Sequence, residues 1–308
     1  MIISLGIRGE PYPTAVGLTT APPEWSVSPA GVLLVDGIAR EDTARRLSDL
    51  LSGIPEDGCA ASAHLADVTA ARAAVARGDN PVLYRAYRDV LPPRAKHHAH
   101  CLTGSAGTDY WFADLVIYQG GELPGSRELA RSIGHWNTAV QLEVFQCLSG
   151  RVLMLSSECD ATGQLGLRYQ VCGPGDVTVI PFGAWHLTVV LAGPAAVFNI
   201  YTDAHTLAHG RTSRDAAGHD RLKYHSRAGV KVVVIRRGDS IALTGDPAEL
   251  LTYSPILRVS APDWTRSLLE PEGLAAFYQH AADTALAQFL AQALTHAHEP
   301  QFNLSPPR

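Results

Sequence analysis

The chain has 308 residues, 46% of them hydrophobic and 18% charged, which is the composition of a globular protein with a proper core rather than of a disordered chain. A net charge of −5 gives no electrostatic basis for binding nucleic acid. No apolar run reaches the length of a membrane span, so no membrane partner is expected.

The N-terminal Met1-Ile2-Ile3-Ser4-Leu5 is soon broken by Arg8, Glu10 and Pro11, which is not the pattern of a secretory signal. Residues 1–42, with Pro11, Pro13, Pro22, Pro23 and Pro29, read as an arm with few regular elements. Helices are predicted over 41–52, where Leu47, Leu50 and Leu51 share a face, and over Asp67 to Arg77, closed by Gly78 and Asn80-Pro81. The period then changes. Strands are predicted over 81–87 and 110–118, and again at 143–147, 151–155, 166–171, 176–181, 187–191 and 196–201. Gly150, Gly163, Gly173, Gly175 and Gly193 mark the turns between them. Such a series argues for a closed or sandwiched antiparallel β structure. A polar loop over 202–218, a hairpin over 230–244 turning at Gly238-Asp239, an irregular stretch over 250–270 and a long helix over 272–298 complete the chain. Leu286, Leu290 and Leu294 form the apolar stripe of that helix.

The chemistry is concentrated between Gly134 and His186. Gly134-His135-Trp136-Asn137 is followed by Glu143-Val144-Phe145, Gly150, Pro174-Gly175-Asp176, Pro181 and Trp185-His186. Imidazole and carboxylate are natural ligands for a divalent first-row metal. Glu143 precedes Gly150 by one strand length, and His186 opens a strand that could face His135 and Glu143.

These motifs resemble the cupin superfamily, and more closely the cupin-type phosphoglucose isomerases of archaea. The glycine-histidine-aromatic start, the Glu-x₆-Gly spacing and the Pro-Gly-Asp to Pro-x₄-His ending carry the likeness. So do Arg45-Arg46-Leu47-Ser48-Asp49, Asn80 to Tyr87, Val116-Ile117-Tyr118 with Gly120, and Ala217-Gly218-His219-Asp220. The resemblance covers residues 43–247, implying a cupin domain with flanking helices between the 1–42 arm and a helical extension over 248–308. The implied fold is mostly β, a jelly-roll-like double-stranded β-helix barrel with N-terminal helices and a long C-terminal helix. It also implies one divalent ion (Fe, Mn, Ni or Zn) held by His135, Asn137, Glu143 and His186. Asn137 stands where the family has a second histidine, the His135-to-Glu143 gap is one residue shorter, and Phe145 and Arg221 replace tyrosines.

The implied activity is aldose–ketose isomerisation of a sugar phosphate or related small polar substrate. Glu143 and His219 would be the catalytic residues, and Tyr84, Ser132, Gly134 and Tyr201 the substrate contacts. Such a reaction needs a base to move a proton between adjacent carbons and a Lewis acid at the carbonyl. The departures leave other readings open. Two histidines and one carboxylate suit a non-haem Fe(II) oxygenase, and a sugar-binding cupin without catalysis fits the same barrel. The resemblance also implies a homodimer.

The five cysteines, Cys59, Cys101, Cys147, Cys159 and Cys172, are odd in number and have no metal-type spacing. They point to reduced thiols in a cytoplasmic protein and away from a Cys159–Cys172 disulfide. Lys96-His97-His98-Ala99-His100-Cys101 reads as a solvated loop. His296 and His298 read as favourable groups at a helix C-terminus. The alternation along 110–118 leaves open which way Asp114 points.

Overall fold

The computed structural model describes residues 1–9, 17–52, 64–95, 110–137, 142–159, 165–181, 184–203, 230–253, 256–260, 263–269 and 272–298. The chain is mostly β. The first strands are β1 (Ile2–Arg8), β2 (Trp25–Val27), β3 (Leu33–Val35), β4 (Ile38–Ala39) and β5 (Thr43–Arg46). Helices α1 (Leu47–Ser52) and α2 (Val68–Ala76) follow. Then come β6 (Val82–Ala95), β7 (Tyr110–Tyr118), β8 (His135–Trp136), β9 (Glu143–Cys159), β10 (Leu165–Cys172), β11 (Val177–Ile180) and β12 (Trp185–Asp203). The last elements are β13 (Val233–Arg237), β14 (Ser240–Thr244), α3 (Pro247–Thr252), β15 (Ile256–Arg258), α4 (Asp263–Leu269), α5 (Gly273–His280) and α6 (Asp283–His298).

A nine-stranded sheet in the order β15-β10-β9-β12-β7-β6-β5, with β11 on β9 and β8 on β12, forms the body. Strands β9 and β12 are long, 17 and 19 residues, and absorb four predicted strands between them. Gly150 and Gly193 do not end strands as expected. The ladder runs past them with register shifts between Val190 and Val197, because a bulge bends a strand without ending its pairing. At Gly150, with φ of +73°, a Cβ would lie 2.7 Å from Ala195 Cβ and from Pro194 O, so only glycine admits this approach of β9 to β12.

Alternation sorts the side chains of the sheet onto two faces. On the outer face, Trp111, Ala113, Leu115, Ile117, Val144, Phe198 and Ile200 pack under β2, β3 and the C-terminal helices, meeting Trp25, Leu33, Leu274, Tyr278 and Phe289. The rest of the outer face, including Leu153, Leu155, Leu187 and Val189, lies against the β1-β14-β13 sheet through Leu5, Ile7, Val234, Ile241 and Leu243. The inner face is different. Among the described residues, Tyr118, Phe145, Cys147, Val152, Met154, Cys172, Ile180, Val190, Ala195 and Val197 form a buried cluster drawn from the sheet strands and Ala184. Neighbouring strands twist relative to one another, so a sheet of this many strands curls toward one face. The described pairings do not close that curl into a complete barrel.

Two predicted helices are corrected. Residues 43–46, expected to be helical, pair with β6 as an edge strand, so the helix begins only at Leu47. The Ala-Arg-Arg run is a good helix former, and tertiary pairing overrides it. The long helix over 272–298 is two. Ala281, with φ −64° and ψ 142°, leaves helical geometry between α5 and α6. Arg94 of β6 holds the break, donating to the Tyr278 carbonyl at 2.7 Å and to Asp283 Oδ1 at 2.6 Å. The stripe of α6 that packs on the core contains Leu286, Phe289 and Ala293. The 1–42 arm carries four short strands where few regular elements were expected, and its β1 pairs with β14. Among the described residues no helix is long and apolar enough to cross a membrane.

Candidate metal centre

Gly134 positions the first imidazole. Its φ is +82°, and a Cβ there would lie 3.1 Å from Leu187 Cβ and Trp185 Cζ2 and 3.2 Å from the His186 carbonyl. Glycine therefore lets the backbone press onto β12, where His135 becomes the register partner of His186. The two rings meet edge to face with centroids 4.3 Å apart. Glu143 opens β9 as the register partner of Tyr201 on β12 and of Ile180 on β11, which sets its side chain on the inner face with Phe145 and Cys147.

The three groups converge. His186 Nε2 lies 3.1 Å from Glu143 Oε2, and His135 Nε2 lies 3.9 Å from Oε1. One ligand atom from each residue lies within 4.8 Å of the others. Bonds of about 2.0–2.2 Å to one ion would set neighbouring ligand atoms roughly 3–3.5 Å apart, close to this spacing. Glu143 and His186 are buried, while the His135 side chain is 43% exposed, so the cluster opens to solvent on the His135 side. Burial alone would raise the Glu143 pKa. The charge of His186 and hydrogen bonds from both imidazoles outweigh it and hold the carboxyl well below the usual range, as a ready anionic ligand.

Asn137 is fully buried, with its backbone N–H on the Ala184 carbonyl at 2.8 Å and its Nδ2 3.4 Å from the Pro181 carbonyl. Its Oδ1 is buried and, among the described residues, accepts no hydrogen bond. It lies two residues after His135 and directly follows β8. An unpartnered amide oxygen costs about 1–3 kcal/mol and is a suitable donor for a hard cation, so the residues present fit a divalent metal.

The remaining predicted residues are spread over the inner face. Tyr201 stands opposite Glu143 and stacks on Phe112 at 5.6 Å. The Ser132 hydroxyl accepts from Thr188 N–H at 3.0 Å, and Ser132 N–H donates to the Thr188 carbonyl, one step along the ladder from His186. Tyr84 packs on Tyr118 at 5.5 Å, and burial pushes its phenol pKa up. Gly134 is accounted for by its close approach to β12. His219, Arg221 and the Lys96 to Cys101 cluster lie outside the described residues, as does most of the predicted 202–218 loop. Phe145, which takes the place of a tyrosine, has its ring 5.5 Å from that of His186. Cys147 and Cys172 are free, buried thiols. Burial pushes Cys147 up to about 12, which removes it as a nucleophile at neutral pH.

One pair escaped the sequence reading. Asp114 is buried on the inner face, its Oδ2 2.6 Å from Arg88 Nη1 and its Oδ1 accepting the Asp89 N–H at 2.9 Å. The apolar alternation of Trp111, Ala113, Leu115 and Ile117 was the available signal that Asp114 points the other way.

No protein-family model matches the chain, and no curated protein matches it in sequence. Solved structures overlap it in part. KdgF from Halomonas sp. is 16% identical, over 38% of this chain and 86% of that one, with a TM-score of 0.23. An oxalate oxidase is 17% identical, over 30% of this chain and 40% of that one, at 0.22. The Cnp3 cupin domain of Schizosaccharomyces pombe is 11% identical, over 41% of this chain and 70% of that one, at 0.23. This chain thus spans well under two thirds of the oxalate oxidase. All three overlaps are local, and the site is interpreted from its own geometry.

Proposed function

We propose that the chain is a cupin-type, metal-dependent enzyme of a small polar substrate, and specifically an aldose–ketose isomerase of a sugar phosphate. One observation carries the metal-dependent part: two imidazoles and a buried carboxylate meet within 4.8 Å on the inner face of the sheet. The buried cluster that the described strands form on the inner face of the sheet supports a jelly-roll-like barrel as the scaffold.

His135, Glu143 and His186 would hold the ion, with Asn137 Oδ1 as a fourth donor. One divalent ion, whether Fe, Mn, Ni or Zn, would supply the Lewis acidity that polarises a substrate carbonyl. The exposed edge of His135 marks where substrate approaches. Phe145, Phe112 and Tyr201 wall the inner face beside the buried Glu143 and His186. Glu143 is held as the anion between two imidazoles, so it orients and neutralises charge. Proton transfer between the adjacent carbons then falls to His219 in the isomerase reading.

A second reading is favoured by the composition of the triad and by Phe145. Two histidines and one carboxylate leave coordination positions open, as in non-haem Fe(II) oxygenases. The phenol expected beside the glutamate is replaced by an apolar ring.

Anaerobic purification followed by metal analysis tests the shared core: about one equivalent of a divalent ion is expected. Interconversion of glucose 6-phosphate and fructose 6-phosphate without O₂ supports the isomerase. Consumption of O₂ that depends on Fe(II) and substrate supports the oxygenase instead. A protein that takes up no metal and turns over nothing refutes both.

A further inference from the structure

Arg88 and Asp114 lie on the same inner face as the triad but take no part in it. The register fixes their place. Across β9, β12 and β7, Glu143, Tyr201 and Phe112 form one row, and Phe145, Asn199 and Asp114 form the next. Neighbouring strands are about 4.8 Å apart, which puts the Asp114 backbone roughly 10 Å across the sheet from Phe145, whose ring touches His186.

Asp114 is 1% exposed, and a buried carboxylate is retained only when paired. Among the described residues its ion-pair partner is Arg88, which is not buried with it: the Arg88 side chain is 51% exposed. A guanidinium has five N–H donors, and among the described residues only Nη1 is recorded donating, to Asp114. The backbone is shaped around this pair. The β6–β7 register shifts between Tyr87 and Leu91, and Asp89, with φ of +47°, donates its N–H to the second Asp114 oxygen. A non-glycine residue in the left-handed region costs of order 1–3 kcal/mol and persists only where its surroundings hold it. Asp114 thus fixes both Arg88 and the strand that carries it, while half of the Arg88 side chain stays exposed.

We propose that Arg88, aimed by Asp114, anchors an oxyanion of the substrate, a carboxylate or a phosphate monoester, whose other end reaches the His135–Glu143–His186 centre. A planar guanidinium with free donors binds either group in a fork, and the Asp114 contact orients it before the ligand arrives. The charge of Arg88 selects an acidic substrate, a sugar phosphate or a small bifunctional acid, over a neutral sugar. The anchor itself rests on Arg88 and Asp114 alone; only the placement of the ligand's second end rests on the metal-centre reading.

The test is calorimetric titration of the full chain with two probes, inorganic phosphate and succinate, alongside metal analysis of every variant. Wild type binds one probe in the millimolar range or tighter, and the stronger probe identifies the anion class. Arg88→Gln weakens that binding at least tenfold with metal content unchanged. Arg88→Lys retains charge and loses less. Because Arg88→Gln removes the guanidinium from a buried carboxylate, the double variant Arg88→Gln/Asp114→Asn serves as the folded control, and it too fails to bind. Binding of the preferred probe within twofold of wild type in the double variant overturns the anchor, as does wild type binding neither probe. Arg88-dependent binding in a wild type that takes up no metal upholds the anchor and defeats the metal-centre reading.

Discussion

His135 and His186 are register partners across the β8–β12 ladder, and their rings pack edge to face at 4.3 Å. Two imidazoles this close, with a buried carboxylate between them, repel one another if both are protonated. A cation shared by all three groups removes that conflict.

Replacing Glu143 or His186 by Ala should each remove most bound metal, measured by elemental analysis after dialysis against a weak chelator. Either leaves two or three donors, without the buried pair at the centre of the site, which is too few for tight binding. Full occupancy in both variants would refute the site.

Asn137→Ala should weaken metal affinity about tenfold, the scale of losing one supporting contact in a metal site. Competition with a chromophoric chelator reads this directly. Affinity within twofold of wild type would make Asn137 a structural residue whose amide only holds the Pro181 carbonyl.

Gly134→Ala tests the close approach that brings β8 to β12. The new Cβ meets Leu187, Trp185 and the His186 carbonyl at 3.1–3.2 Å in a left-handed backbone. A stability loss of about 1–3 kcal/mol is expected by urea denaturation, together with weaker metal binding as His135 is pushed out of place. Loss of stability with unaltered metal affinity would uncouple the glycine from the centre.

Arg131 ties down the segment that delivers His135. It is 2% exposed, pairs with Glu128 at 2.9 Å, and donates to the carbonyls of His64 at 2.6 Å and Ser132 at 3.0 Å. Arg131→Met should cost about 3–5 kcal/mol, because it strands the Glu128 carboxylate in the interior. Adding Glu128→Leu should recover part of that loss. If the double variant is no more stable than Arg131→Met, the stranded charge is not the cause.

Cys147 and Cys172 should resist thiol reagents at pH 8 in the native protein. Burial pushes Cys147 up to about 12 and Cys172 well above its ordinary value, so the reactive thiolate is scarce until the pH exceeds those values. Peptide mapping should find both labelled only after unfolding. Rapid native labelling at Cys147 would mean that the inner face opens.

Period-two alternation, turn residues and the order of histidine and carboxylate motifs were enough to read a β-rich chain and to pick His135, Glu143 and His186 as a set. Strand alternation is a local property, and short polar motifs stand out against it. Alternation also separated Trp111, Ala113, Leu115 and Ile117 from Asp114, but it did not say which face was the inner one. The lengths of β9 and β12 were not legible, because a glycine that ends a strand and one that bends it look alike until the partner strand is known. The break at Ala281 was hidden as well: alanine is a strong helix former, and the groups that hold the interruption, on Arg94, come from a strand nearly 190 positions away.

Residue types and their order determined that this is a globular β protein carrying a histidine–carboxylate motif, since those properties depend on neighbours in the chain. Only the tertiary structure decided that the motif converges, that Asn137 is buried with an oxygen that has no partner among the described residues, and that Arg88 and Asp114 share its face. Those facts depend on cross-strand register, and register is set by packing between segments far apart in the chain.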